Sequence, residues 1–136
     1  MILVDTNVII DIFDRDPIWF EWSAGRLSEA AGEGEVAINA VVVAELSRSF
    51  KTLAALQQIL LPFELQSRAL DDASAFLAGK RFQEYRRTRQ GVETARVLPD
   101  FLIGAQAIML GATLLTRDAR LYRRYFPDLT LLTPET

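Results

Sequence analysis

The sequence predicts an α/β protein with a mostly parallel sheet and helices on both faces. Two observations lead there. Short apolar runs of strand type alternate with longer segments whose apolar residues recur at helical spacing, the pattern a parallel sheet with crossover helices requires. The first run, Ile2 to Val4, stops abruptly at Asp5, and a helical pattern starts directly afterwards. A strand that delivers a carboxylate at its carboxyl end, with a helix next, is the usual layout of a ligand site in such folds.

The elements follow in order. Val8, Ile9, Ile10, Ile12 and Phe13 continue the first helix, which Asp14-Arg15-Asp16-Pro17 closes. Ile18 to Ala31 reads as a second helix, with Trp19, Trp22, Leu27 and Ala30 at spacings near three or four. Two tryptophans and Phe20 exceed what one narrow stripe needs, so this cluster serves either the core or a partner surface. Gly32 to Glu35 breaks the helix, Val36 to Ile38 supplies a second strand, and Asn39 can cap a third helix from about Val41 to Phe50. Leu53 to Leu61 is helical and closed by Pro62; Phe63 to Leu65 reads as a third strand. Ser67 then opens a long helix that Gly91 stops. Leu98-Pro99-Asp100 starts the next helix, with proline just inside its beginning and an acid in its first turn. Phe101 to Leu110 is apolar nearly all round, which makes that helix central; Gly111 ends it. Thr113 to Thr116 is the fourth strand, Ala119 to Tyr125 a short helix, and Leu129 to Leu132 the last strand. No repeat, low-complexity segment or linker divides the chain, so residues 1–136 read as one domain.

Composition removes whole classes of chemistry. The chain has no His and no Cys, so a Ser-His-Asp triad, a thiol nucleophile and a His/Cys zinc site are all excluded. Any metal site must use oxygen ligands, which suit hard cations such as Mg²⁺ or Mn²⁺. No apolar run reaches the roughly 18–20 residues that span a membrane, and no signal-peptide pattern precedes the first strand. No membrane association and a cytoplasmic location are expected. The net charge of −3 hides two basic runs. Lys80, Arg81, Arg86, Arg87, Arg89 and Arg96 form one, and Arg117, Arg120, Arg123 and Arg124 the other. Each alone can be a solvated helix face; two in an acidic protein point to a phosphate-bearing partner.

Four acids stand out. Asp5 ends the first strand and Asp118 follows the fourth, so both reach the carboxyl edge of the sheet if those strands are neighbours. Glu45 sits in the apolar run Val41 to Leu46, where a carboxylate is expensive unless paired, protonated or bound to a cation. Asp100 opens the helix that feeds strand four, a start that chain direction places at the opposite edge, and crossover rules do not bring it beside Asp5. Taken singly, Asp5 and Asp100 can be helix caps, Asp118 a turn residue and Glu45 a half-exposed helix residue. Asp11, Asp14 and Asp16 read as helix-surface and turn residues, and Asp71 and Asp72 as the opening turn of the long helix.

The runs MILVDTNVIID, VVVAELSRSF, LPDFLIGAQA and TLLTRDARLYRRYFPDLTLLTP together resemble a PIN-domain ribonuclease, most closely the VapC-type toxins of bacterial toxin–antitoxin pairs. The ordered set D-T-N, E, D and T-R-D carries the resemblance. It implies a five-stranded parallel sheet of order 3-2-1-4-5. It also implies an acidic quartet of Asp5, Glu45, Asp100 and Asp118 that holds one or two Mg²⁺ or Mn²⁺ ions, with Thr6, Asn7 and Thr116 in support. The expected activity is metal-dependent cleavage of RNA, single-stranded or structured, that inhibits translation. The expected partners are RNA, a cognate antitoxin protein and a second copy in a homodimer. Arg86, Arg87, Arg89 and Arg117 are the candidates for the RNA backbone. A housekeeping RNA-processing nuclease and a non-catalytic RNA- or protein-binding module remain as alternatives. A dehalogenase-like phosphatase would want an acid at position 7, which is Asn7. A phosphotransfer receiver would want an Asp after strand three and a Lys after the last strand, where Gln66 and Thr133-Pro134 stand.

Overall fold

A computed structural model of the chain describes residues 1–89 and 95–135. Strands β1 (Ile2–Val4), β2 (Val36–Asn39), β3 (Gln66–Arg68), β4 (Thr113–Leu115) and β5 (Leu131–Leu132) form a parallel sheet of order β3-β2-β1-β4-β5. Around it pack α1 (Thr6–Phe13), α2 (Phe20–Glu33), α3 (Ala40–Leu46), α4 (Leu53–Leu60), α5 (Asp72–Thr88), α6 (Leu98–Leu110) and α7 (Arg120–Tyr125). Leu3, Val4, Ala37, Ile38, Leu114 and Leu115 are fully buried, as expected of central parallel strands covered on both faces. The strand order agrees with the expected one. Among the described residues no helix is long and apolar enough to cross a membrane.

The near-continuously apolar α6 is central, as its composition required. Its Phe101 meets Phe82 of α5, Tyr125 of α7 and Phe126 with ring centroids 5.5, 5.7 and 5.4 Å apart. Gly104 has a steric reason: a Cβ there would stand 3.2 Å from both the Tyr122 and Phe126 rings. Gly111 ends α6 in the left-handed region at φ 65°, where glycine carries no penalty.

Several boundaries differ from the sequence reading. Phe63 to Leu65 is not a strand. Leu61–Phe63 is a 3₁₀ turn around Pro62, Glu64 is left-handed at φ 54°, and the strand is Gln66–Arg68, with Ser67 opposite Ile38. An edge strand has one open side, so a polar segment fills it without cost, while Phe63 and Leu65 pack against the core instead. Ser67 therefore does not open the long helix. Asp71 does, its carboxylate accepting the Ser74 N–H at 2.7 Å. α3 stops at Leu46 rather than Phe50, because Ser47–Ser49 tightens into a 3₁₀ turn in which the Ser47 hydroxyl donates to the Ala44 carbonyl. Thr116, Leu129 and Thr130 lie outside their expected strands, and α2 runs Phe20–Glu33 rather than from Ile18. The expected stop at Gly91 lies outside the described residues.

Candidate functional site

The β1–β4 register builds the site. Val4 lies opposite Leu115, and the Asp5 N–H donates to the Leu115 carbonyl at 2.9 Å, so the next residues, Asp5 and Thr116, meet at the carboxyl edge. Asp5 does cap α1: its Oδ1 accepts the Thr6 N–H at 2.8 Å. Its Oδ2 serves a different purpose. That atom accepts the Thr116 hydroxyl at 2.8 Å, the Tyr122 hydroxyl at 3.1 Å and the Asn7 amide at 3.4 Å. Asp5 is only 4% exposed. Burial pushes its carboxyl up to about 6, against the Thr116, Thr6 and Tyr122 hydrogen bonds, and the Glu45 charge adds to the rise.

Asp100 lies at this same edge, which corrects the expectation from chain direction. A crossover helix runs antiparallel to the strands it joins, so its first turn sits where the strands end. Burial, and then the charges of Asp5, Glu45 and Asp118, push the Asp100 carboxyl up to about 7. Asp118 is half-exposed. Arg120 donates to its two oxygens at 3.2 and 3.3 Å and holds its carboxyl below the usual range. Glu45 accepts the Thr6 hydroxyl at 2.7 Å. Asn7 ties the group together: its amide donates to Asp5 and, at 3.2 Å, to Thr116 Oγ1, while its oxygen accepts the Arg117 N–H at 3.3 Å. Thr6, Asn7 and Thr116 thus each touch an acid of the set.

Asp5, Asp100 and Asp118 line one pocket of about 490 Å³ together with Arg89, Arg120, Arg124 and Tyr122. Glu45 adjoins through Thr6 and through its charge. Arg86 and Arg87 are exposed in the last turn of α5. Arg117 is aimed elsewhere: its Nε donates to Asp11 Oδ2 at 2.8 Å. Asp11 is accordingly not the surface residue that its position implied, being 1% exposed. Sequence reasoning missed Tyr122 as well. No local pattern marks it, since its partner is Asp5, the residue that follows β1. Arg120 and Arg124 were visible only as members of a basic run.

The donor set suits a hard divalent cation. Every candidate ligand is an oxygen, and the Asp5 and Asp100 carboxyls, raised first by burial and then by neighbouring negative charge, are groups whose ionised forms a cation would stabilise. Among the described residues no three acids stand close enough to hold a metal ion as the side chains lie. Asp118 is turned to Arg120 and Glu45 to Thr6. Chemistry and charge fit the ion; the ligand shell is not drawn together. A larger groove of about 980 Å³ lies between α4 and the β2–β3 edge, lined mainly by apolar residues such as Val43, Leu56 and Leu60. Its size does not make it the reaction centre, because no cluster of acids converges there.

A family model described as the PIN domain matches residues 2–127, and the chain belongs to the PIN domain family. PIN domains are nucleases. Comparison with curated proteins finds no match. Among solved structures, FitAcB from Neisseria gonorrhoeae is 27% identical over 99% of each chain, with a TM-score of 0.68. VapBC2 from Rickettsia felis, solved bound to a DNA fragment from their promoter, is 24% identical over 98% of each chain, with a TM-score of 0.72. A toxin–antitoxin complex from Klebsiella pneumoniae is 22% identical over 98% of each chain, with a TM-score of 0.65. The last two likenesses concern the fold.

Proposed function

We propose that this chain is a divalent-metal-dependent endoribonuclease and the toxin member of a toxin–antitoxin pair. The observation that carries the reading is the single pocket at the carboxyl edge that Asp5, Asp100 and Asp118 line together, with arginines on its wall. Family membership supports the nuclease activity, and the toxin–antitoxin complexes among the structural relatives support the pairing.

Asp5, Asp100 and Asp118, with Glu45, would hold Mg²⁺ or Mn²⁺. Such an ion, when bound, polarises a phosphoryl oxygen and makes a water nucleophilic at neutral pH. The chain's own residues do the rest. Thr116, Tyr122 and Asn7 hold the Asp5 carboxylate in one orientation. Arg89, Arg120 and Arg124 face the pocket, where guanidinium groups can hold backbone phosphates and stabilise charge developing on phosphorus. Arg86 and Arg87 extend that basic surface along α5. Arg117 is engaged by Asp11 and takes a different part. A cognate antitoxin protein and a second copy of the chain are the proposed partners, and the cytoplasm the proposed location.

The test is cleavage of single-stranded and structured RNA by purified protein. We expect cleavage with Mg²⁺ or Mn²⁺ and silence with EDTA. Asp5→Asn and Asp100→Asn should abolish cleavage while circular dichroism stays native. Cleavage at the parental rate by Asp5→Asn would refute the site assignment. The toxin reading is tested by expression in a host: growth should arrest, and co-expression of an adjacent small gene should restore it.

A further inference from the structure

Asp11 is a buried carboxylate for which the acidic pocket has no direct use. It stands four residues beyond Asn7 on α1, so the two side chains share a helix face. Both hold the same residue. Asn7 Oδ1 accepts the backbone N–H of Arg117 at 3.3 Å, and Asp11 Oδ2 accepts its Nε at 2.8 Å. The guanidinium also lies 5.7 Å from the centroid of the Trp19 ring. From α2, the Ser23 hydroxyl donates to the same Asp11 oxygen at 2.7 Å, while Asp11 Oδ1 has no partner among the described residues. An incompletely satisfied buried ion pair adds little stability over an apolar substitute; what it can supply is a unique arrangement.

We infer that Asp11 is a positioning residue for the nuclease centre. Through Arg117 it fixes the Thr116–Asp118 loop, and so the direction from which Asp118 enters the pocket. The inference rests on the nuclease reading of that pocket. Arg117, on this account, is an internal strut rather than a phosphate contact.

The experiment compares kcat, KM and backbone amide spectra for the parental chain, Asp11→Asn, Arg117→Gln, the double variant and Ser23→Ala. Asp11→Asn should lower kcat about 10- to 100-fold, the cost of a small misplacement, with KM changed less than about 2-fold. Arg117→Gln should lose as much, and the double variant no more than either single, because one pair is being broken. Ser23→Ala should keep kcat near parental. In Asp11→Asn the Asn7 side-chain, Arg117 and Asp118 amide signals should move while those of β3 stay. Parental kcat and signals in Asp11→Asn overturn the inference. So does an equal kcat loss in Ser23→Ala, which would assign Asp11 to α1–α2 packing, or a raised KM at unchanged kcat in Arg117→Gln, which would assign Arg117 to substrate. If Asp11→Asn does not fold, Arg117→Gln breaks the same pair from its exposed end and decides. If the parental chain cleaves no RNA, the nuclease reading fails by itself, and the amide signals still decide whether Asp11 holds the loop.

Discussion

Tyr122 brings a phenolic hydroxyl to within 3.1 Å of Asp5 Oδ2 from 117 residues further along the chain. Tyr122→Phe keeps the ring and removes the donor. Because that bond lowers the Asp5 carboxyl, its loss should move Asp5 above its value of about 6 and cost about 1–2 kcal/mol of stability. Carboxyl NMR and urea unfolding measure both; an unchanged Asp5 titration would mean the bond is not made in solution. The two raised carboxyls also set a pH dependence. Asp5 and Asp100 rise from 3.8 to about 6 and about 7 on folding, so between those limits the native chain binds more protons than the unfolded one. Their contribution to stability is therefore full below about 3.8 and lost as pH rises through 6 and 7. In EDTA, the melting temperature should fall from pH 5 to pH 8, and Mg²⁺ should recover most of the loss; a flat profile would contradict the raised values of the two buried carboxyls. Asp5 and Asp118 were legible because each follows a strand. Tyr122 and Asp11 were not, because their meaning lies in partners far away in sequence.

At the level of elements, short apolar runs misled where side chains serve packing rather than pairing. Phe-Glu-Leu looks like a strand and Gln-Ser-Arg does not, yet the edge position reverses the two. The turn that leads into β3 holds exposed Glu64 at φ 54°, a conformation costing a residue with Cβ about 1 kcal/mol. Glu64→Gly should therefore raise stability by up to about 1 kcal/mol, read as a higher urea midpoint. Destabilisation would mean that the side chain has a use there. The α6–α7 contact yields the opposite sign. Gly104→Ala would press a methyl on Tyr122 and Phe126, both almost fully buried, and overpacking of this kind costs about 1–3 kcal/mol. It should also weaken the Tyr122–Asp5 bond and with it cleavage. Equal activity and stability would show that the rings can yield. The α6 start, by contrast, was readable from Leu98-Pro99-Asp100 alone, because proline, acid and an all-apolar continuation agree.

Across the whole molecule, the net charge of −3 coexists with an arginine-bearing side around the pocket. Arg89, at the end of α5, and Arg120 and Arg124 of α7 line it, and Arg86 and Arg87 are exposed in the last turn of α5. Replacing Arg86, Arg87 and Arg89 by Ala should weaken RNA binding and reduce the log–log salt slope by about 2, at roughly 0.7 per single-strand phosphate contact. An unchanged slope would remove them from the RNA path. The alternating pattern made the sheet readable, and the strand order needed the family resemblance because local pattern says nothing about neighbours.

That order has a further consequence, in time rather than space. The middle strand is the first to be synthesised, and its neighbour β4 comes more than a hundred residues later; Asp5 and Thr116 are separated by 111 positions. A nascent chain shorter than that carries Asp5 without Thr116, Asp118 or Tyr122. Such long-range pairing also folds slowly. On the proposed nuclease reading, a partly synthesised domain lacks the assembled acidic pocket, and activity can appear only once nearly the whole domain has emerged and closed.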